Sequence, residues 1–219
     1  MNKSIIIIIA LLSVSAGIVG FRLIMQTKQL PPPEYALHYQ QARSLAAFSL
    51  IDEQGEVFNN AQLKDKWSLL FFGYTSCPDV CPITLQNLNF IYNQLTDIAN
   101  NSQVLLVSVD PQRDSVEKLA QYVSFFNDEF KALRAEHDVL FPFARSLGLM
   151  YSISRSSEDE QLQSPDQYWV DHSASIVLIN PEGKVTAIFR PEQVVGAAPT
   201  IDNDKLLSDY QKIVALYSS

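Results

Sequence analysis

Cys77 and Cys81 are the only two cysteines of the 219-residue chain, and their spacing suits metal binding or thiol chemistry. They lie in the stretch WSLLFFGYTSCPDVCPITLQNLN, where an apolar run ends at Gly73 and helical spacing begins near Leu85. This order predicts a strand, a loop and a helix. Backbone N–H groups and the helix dipole at such a junction stabilise an anion. We therefore expect the pKa of both thiols to be lowered and both to be reactive.

The CxxxC spacing leaves two kinds of chemistry open. If the loop contains one helical turn, residues i and i+4 share a face, so the two sulfur atoms can bind one soft metal ion or form a disulfide. A purely structural disulfide is disfavoured, because closing so short a loop removes little entropy from the unfolded chain. Metal binding and reversible thiol exchange both remain as hypotheses.

His172 is the third candidate, and it stands in VDHSAS directly before the apolar run SIVLIN. In the sheet inferred below, this segment approaches the end of the strand that precedes the cysteines. A lone histidine is commonly a surface residue, but two nearby thiolates favour ligation. Asp171 could orient the imidazole or cap a turn, and both interpretations stay open. We expect His38 and His137 to be solvated.

Two thiolates and one imidazole form a soft set of three ligands, which suits copper in an exported protein. Structural zinc normally takes a fourth ligand. Asp79 or Asp171 could supply one, so zinc is disfavoured without being excluded. A methionine-rich copper site is excluded, because Met1 and Met25 belong to the amino-terminal apolar end and only Met150 remains.

The elements that must position these residues follow from hydrophobic periodicity. The predicted elements are a hairpin at 48–58, a strand at 69–72, helices at 83–98, 115–126, 138–149 and 203–216, strands at 104–109 and 130–133, a polar acidic loop at 155–167, and a hairpin of strands 175–180 and 185–189. Early βα units predict parallel crossovers and the late hairpin predicts antiparallel pairing. The order favours an α/β, thioredoxin-like fold, with a central mixed sheet flanked by helices.

The chain divides into three predicted parts. Residues 1–25 form a membrane anchor, because no charge occurs from Ile5 to Phe21 and a helix of that length spans roughly 25 Å. A cleaved signal peptide is the alternative. Residues 26–44 form a proline-containing linker, and residues 45–219 form the folded domain. The Lys and Arg count does not fix the orientation, and we place the domain outside the cytoplasm because a first apolar segment usually directs export.

Composition limits the partners. The formal net charge of -8 and a pI near 4.8 argue against nucleic-acid binding, which needs a basic patch. A hydrophobic content of 47% is enough for one substantial core in a chain of this length.

Three stretches carry a resemblance to a known family: FFGYTSCPDVCPITLQNL, VLLVSVDPQRDSVEKLAQY and VDHSASIVLINPEGKV. In this order they resemble the Sco/SenC copper chaperones for cytochrome c oxidase assembly. The resemblance implies that Cys77 and Cys81 are redox-active copper ligands and that His172 is a copper ligand. It also implies a thioredoxin-like domain on the outer face of the bacterial cytoplasmic membrane, where it helps to build the copper centre of oxidase subunit II.

Two functions compete on this basis. In the first, a metallochaperone binds copper through Cys77, Cys81 and His172 and passes it to the oxidase subunit or another exported protein. In the second, a thiol-disulfide oxidoreductase attacks a target disulfide with Cys77, and Cys81 resolves the mixed disulfide. A third reading, a peroxide-reducing enzyme, requires a threonine and an arginine beside the cysteine. Thr75 is available, but no arginine is near in sequence, so this reading ranks last.

Overall fold

The computed structural model describes residue 5 and residues 12–18, 31–154, 168–193, 196 and 198–217. The chain forms two units, Met1–Pro32 and Pro33–Ser219, and the second contains all of the elements discussed below. Most of the predicted anchor, residues 1–25, lies outside the described residues. Within the described part of the chain, no helix has both the length and the apolar character needed to cross a membrane.

The second unit is a mixed α/β domain. Its strands are β1 (Leu37–Ser44), β2 (Ser49–Asp52), β3 (Val57–Asn59), β4 (Trp67–Gly73), β5 (Ser102–Ser108), β6 (Lys131–Arg134), β7 (Tyr151–Ser154), β8 (Trp169–His172), β9 (Ile176–Ile179) and β10 (Lys184–Phe189). Its helices are α1 (Val80–Ile98), α2 (Val116–Phe126), α3 (His137–Leu147) and α4 (Asn203–Tyr217). A short 3-10 turn, Asn60–Leu63, follows β3.

Eight strands form one sheet in the order β1-β10-β9-β4-β5-β6-β2-β3, while β7 and β8 form a separate ribbon. The centre is parallel: β4 pairs with β5, and β5 pairs with β6. On the other side of β4, β9 runs antiparallel. Consequently the end of β4, the end of β5 and the beginning of β9 meet at one edge of the sheet, where the cysteine loop begins.

Strict alternation along the central strands divides the core into two layers. In β4, Leu69 and Phe71 face helices α1, α2 and α4, whereas Leu70 and Phe72 face α3 and the β7–β8 ribbon. All seven residues of β4 are buried. The predicted mixed sheet flanked by helices is therefore confirmed, and the apolar run before the cysteines is its central strand.

The predicted linker, residues 26–44, is wrong in its second half. Leu37–Ser44 is strand β1, which pairs antiparallel with β10 at one edge of the sheet. An edge strand has one hydrogen-bonding neighbour and a largely exposed surface, so its sequence LHYQQARS shows no apolar alternation. His38 is consequently half-buried opposite Ala187, not solvated. Burial lowers the pKa of His38, and the nearby Asp209 carboxylate partly opposes this effect.

Other observed helix boundaries differ from the predicted ones by a few residues. Helix α1 begins at Val80, three residues earlier than predicted. Helix α3 ends at Leu147 because Gly148 adopts φ 81, a left-handed conformation that terminates helices. The β7–β8 ribbon was not predicted. The predicted acidic loop at 155–167 lies outside the described residues.

Candidate metal centre

The cysteine loop is a tight connection between β4 and α1. After Gly73, the Cys77 N–H donates to the carbonyl of Tyr74 at 3.2 Å, which closes a turn. Helix α1 then begins at Val80, and the Cys81 N–H donates to the Cys77 sulfur at 3.4 Å. Asp79 makes no side-chain cap at this helix. The Cys77 sulfur therefore takes a position where the free N–H groups of a helix start favour an anion.

Gly73 leaves the space that the second sulfur occupies. A Cβ atom at this position would lie 3.0 Å from the Cys81 Sγ and 2.8 Å from the Leu106 Cδ1. Both separations are shorter than van der Waals contact. The last residue of β4 must therefore be glycine for Cys81 to sit against the strand.

His172 reaches the sulfur atoms from the β7–β8 ribbon. It ends β8, and the chain then enters β9 beside the end of β4. The His172 Nε2 lies 3.4 Å from the Cys81 Sγ. On the other side of the ring, Nδ1 lies 3.3 Å from the carbonyl of Ser173, and a proton on Nδ1 would leave the Nε2 lone pair facing the sulfur. The Tyr74 ring packs edge-on against the imidazole, with 5.8 Å between ring centroids.

The three predicted residues therefore converge. One ligand atom from each of Cys77, Cys81 and His172 lies within 4.8 Å of the other two. Both cysteines are free thiols, with Cys77 half-buried and Cys81 buried. No other histidine, cysteine or carboxylate of the described residues joins this cluster.

The two thiols differ in their electrostatics, contrary to the expectation that both would have a lowered pKa. The hydrogen bond from Cys81 lowers the pKa of Cys77 to about 4 despite its burial, and the bond to His172 acts in the same direction. The same sulfur pair raises the pKa of Cys81 well above its ordinary value, and burial adds to this. At neutral pH the metal-free pair thus holds one thiolate and one thiol. The hydrogen bond between the sulfurs thus separates the two thiols, and the Cys81 N–H adds a smaller stabilisation of the Cys77 thiolate.

Neither aspartate considered as a fourth ligand lies in the cluster. Asp79 is exposed. Asp171 accepts a hydrogen bond from the Ser154 hydroxyl at 2.8 Å across the ribbon, so it orients the strand pair and not the imidazole. Two sulfur donors and one nitrogen donor fit a soft ion held by three ligands better than structural zinc, which takes four.

His137 takes no part in the site, and its predicted solvation is wrong. It is half-buried, and its Nδ1 lies 2.8 Å from the Tyr151 hydroxyl. The two rings also pack together, with 5.8 Å between their centroids. This histidine therefore helps to attach helix α3 to strand β7.

A network of polar residues holds the cysteine loop against the end of β5. Asp114, whose side chain is fully buried, accepts hydrogen bonds from the Thr75 N–H at 3.1 Å and the Thr75 hydroxyl at 2.5 Å. The Ser108 hydroxyl donates to the same carboxylate at 2.7 Å. These contacts tie the loop after β4 to the end of β5. They also engage the threonine that a peroxide-reducing site would need.

A second buried carboxylate, Asp110, binds Arg113. The Arg113 Nε donates to Asp110, and the guanidinium lies over the Tyr74 ring at 5.6 Å. Arg113 is thus committed to a carboxylate and to aromatic faces. These contacts account for Arg113 by its packing on Asp110 and Tyr74.

An open groove of about 680 Å³ is lined by Cys77 and His172, two of the three candidate ligands. The cysteine loop forms one wall with Cys77 and Pro78, and the segment around His172 forms another. Arg190 and Pro191, after β10, complete the lining. A donor group from another protein could approach Cys77 through this groove.

The SCO1/SenC family profile matches residues 37–202, which is most of the chain. This chain belongs to the SCO1/SenC family. The match begins at the first residue of β1, in agreement with the observed start of the sheet. The resemblance seen in the three sequence stretches is therefore confirmed.

Individual family members match this chain over alignments of different lengths. A SCO2-like protein of Rickettsia prowazekii is 30% identical over 189 residues, which are 86% of this chain and 90% of the relative. A mitochondrial SCO2 homologue of Bos taurus is 36% identical over 152 residues, covering 68% of this chain and about half, 55%, of the relative. The copper-bound crystal structure of Arabidopsis thaliana ScoI matches with a TM-score of 0.67 and 27% identity, covering 78% of this chain and 98% of that one.

Several residues that support the SCO1/SenC site were not predicted: Gly73, Tyr74, Asp110, Arg113, Asp114 and Tyr168. A signal was present, since DPQRD directly follows a buried strand whose carboxyl end lies at the same sheet edge as the cysteines. Two acidic residues at that position predict buried carboxylates with specific partners. The partners themselves, from distant parts of the chain, could not be read from local spacing.

Proposed function

We propose that this protein is a copper metallochaperone that binds one copper ion through Cys77, Cys81 and His172. The observation that carries the proposal is the convergence of these three ligand atoms within 4.8 Å, with Nε2 at 3.4 Å from the Cys81 sulfur. Thiolate and imidazole ligands favour copper among the common biological metals. The copper-bound ScoI relative supports the same assignment.

The geometry also suits release of the ion. Cys81 is buried and packs against Gly73, whereas Cys77 is half-buried and lines the open groove. An incoming ligand can therefore approach on the Cys77 side. Three ligands leave a coordination position for that ligand, so transfer can proceed by exchange of one bond at a time.

A second candidate function, thiol-disulfide exchange, is favoured by the unequal thiols. The Cys77 thiolate would attack a target disulfide, form a mixed disulfide and release one target thiolate. Cys81 would then lose its proton, attack the Cys77 sulfur and release the second target thiolate, leaving a Cys77–Cys81 disulfide. The lowered pKa of Cys77 and its access to the groove fit the attacking role.

We further propose that the acceptor is subunit II of cytochrome c oxidase, or another exported copper or thiol protein. The family resemblance supports this partner. We also propose that residues 1–25 anchor the protein in the bacterial cytoplasmic membrane with the domain on the outer side. The uncharged stretch from Ile5 to Phe21 supports the anchor.

The ligand assignment can be tested by titrating the reduced protein with Cu(I) in competition with a chromophoric chelator. We expect one copper per chain, and we expect His172→Ala to lose affinity at least as strongly as the ~10–100-fold typical when a residue that only hydrogen-bonds a metal ligand is changed. The chain has three histidines, so His38→Ala and His137→Ala are matched controls that should bind normally. Equal affinity in all three variants would remove His172 from the site.

Reduction of a model disulfide by copper-free protein separates the two functions. If the His172→Ala variant loses copper but reduces the disulfide at the wild-type rate, thiol exchange is an independent activity. If neither protein turns over the disulfide, the metallochaperone function stands alone.

A further inference from the structure

The strand that carries His172 does not belong to the main sheet. Among the described residues, strand β8 pairs with β7 alone, and the register places Tyr151 opposite His172 and Ser154 opposite Trp169. A two-stranded ribbon is marginally stable by itself. The position of the imidazole therefore depends on contacts that attach the ribbon to the rest of the domain.

The residue before β8 makes one of these contacts. Tyr168 is 7% exposed, and its hydroxyl donates to the Asp110 carboxylate, which is 1% exposed. Asp110 follows β5 directly, and its N–H donates to the Ser108 hydroxyl at 3.2 Å. The hydroxyl of Tyr168 thus connects the beginning of the His172 strand to the end of a central strand.

Arg113 extends this contact toward the imidazole. Its Nε donates to Asp110, and its guanidinium lies 4.0 Å from the centroid of the Tyr168 ring. The same guanidinium lies 5.6 Å from the Tyr74 ring, which packs edge-on against His172. The ribbon is therefore held at both ends of β8, by Tyr168 before it and by the Tyr74 ring at its last residue.

We propose that Tyr168, Asp110 and Arg113, here called the Asp110 cluster, act as positioning residues that hold the His172 strand in the geometry required for ligation. The inference rests on the proposed copper function and identifies which residues outside the ligand set determine the affinity. A buried carboxylate requires its hydrogen-bond donors. Loss of the Tyr168 hydroxyl therefore removes one hydrogen bond to Asp110 and also weakens the attachment of the ribbon to the domain.

The chemistry of Tyr168 suits a permanent attachment. Burial, together with the bond to Asp110, raises the pKa of Tyr168 to about 12. The hydroxyl keeps its proton across the physiological range and donates throughout. Arg113 forms an ion pair with the same Asp110 carboxylate.

The test is a double-mutant cycle on Cu(I) affinity with Tyr168→Phe and His172→Ala. Tyr168→Phe should weaken binding ~10–100-fold, the usual cost of losing a residue that holds a metal ligand in position. The same substitution in the His172→Ala background should have no further effect, because the ligand it positions is already absent. Equal losses in both backgrounds would show a general structural effect and overturn the proposal.

Tyr210→Phe is the matched control. Tyr210 is fully buried on α4, and its hydroxyl lies 2.7 Å from the Ser102 hydroxyl of β5, but Tyr210 does not line the groove. It should lose stability without losing copper affinity. If Tyr168→Phe does not fold, Arg113→Lys retains the charge and removes the planar stacking. It should then show the same dependence on His172.

A measurement on the metal-free protein separates this proposal from the copper assignment. In the wild-type protein, NMR should show nuclear Overhauser contacts between the Tyr74 and His172 rings, and Tyr168→Phe should weaken them. Retention of these contacts together with normal copper affinity would refute the positioning role. Loss of the contacts in a protein whose wild-type form binds no copper would instead refute the proposed function and leave the positioning intact.

Discussion

Replacing Gly73 with alanine should damage the metal site through a single methyl group. The added Cβ would lie 2.8 Å from the Leu106 Cδ1 and 3.0 Å from the Cys81 Sγ. Nonbonded heavy atoms prefer separations of about 3.5–4.0 Å. At least one neighbour must therefore move by roughly 0.5–1 Å, and the movable ones are the leucine side chain and the sulfur.

The size of the effect follows from overpacking. Inserting a methyl group into a close-packed core typically costs about 1–3 kcal/mol, so we expect the free energy of unfolding to fall by that amount. Displacement of the Cys81 sulfur also disturbs its 3.4 Å separation from the His172 Nε2. We expect the Cu(I) affinity to fall by ~10-fold or more, as for other changes around metal ligands.

Denaturant unfolding and chelator competition measure the two effects separately. Leu178→Ala is the control, because Leu178 is fully buried beside Leu69, in the core layer on the opposite side of the sheet from Cys81. It should cost about 2–5 kcal/mol without moving a sulfur atom. Normal copper affinity in Gly73→Ala would refute the close approach of Cys81 to the strand. Equal loss of affinity in Leu178→Ala would attribute the effect to stability alone.

Three further predictions concern the Cys77 thiolate, the Asp114 network and the attachment of the segment before β1. With a Cys77 pKa of about 4, iodoacetamide alkylation of the reduced, metal-free protein should be nearly independent of pH from 6 to 9 and decline only as the pH approaches 4. A thiol of ordinary pKa would instead react roughly 200-fold faster at pH 9 than at pH 6. Asp114→Ala leaves the Thr75 N–H and hydroxyl donors unpaired, so denaturant unfolding should show a free energy of unfolding lower by at least about 1–3 kcal/mol. An unchanged free energy of unfolding would contradict the network. Asp209 accepts hydrogen bonds from the Tyr35 and Ala36 N–H groups at 2.6 and 2.8 Å. Asp209→Ala should therefore speed hydrogen exchange of these two amides by ~10–100-fold, and unchanged exchange would exclude Asp209 as their hydrogen-bond acceptor.

The sequence was most informative where burial requires a regular pattern of apolar residues. The central strands could be predicted because residues such as Leu69 and Leu70 fill opposite core layers, which requires continuous apolar runs. The approach of His172 to the cysteines could be predicted because β9 follows it and lies beside β4. The fold and the ligand triad were therefore accessible from local patterns and topology.

Other features depend on contacts that no local pattern encodes. Strand β1 is stabilised by pairing with β10, so its own residues need not alternate. The unequal pKa values of the two thiols arise chiefly from the hydrogen bond between the two sulfur atoms, which lowers the pKa of Cys77 and raises that of Cys81 once the loop has folded. The bond from Tyr168 to Asp110 joins residues 58 positions apart, and it exists only once the ribbon is packed on the domain.

X-ray absorption at the copper edge of the reduced, copper-loaded protein tests the central claim most directly, since it counts the sulfur and nitrogen ligands. We expect two sulfur ligands and one nitrogen ligand in the wild-type protein. The nitrogen should disappear in His172→Ala and remain in His137→Ala. A wild-type spectrum with sulfur ligands alone, or a nitrogen contribution that survives His172→Ala, would contradict the proposed site.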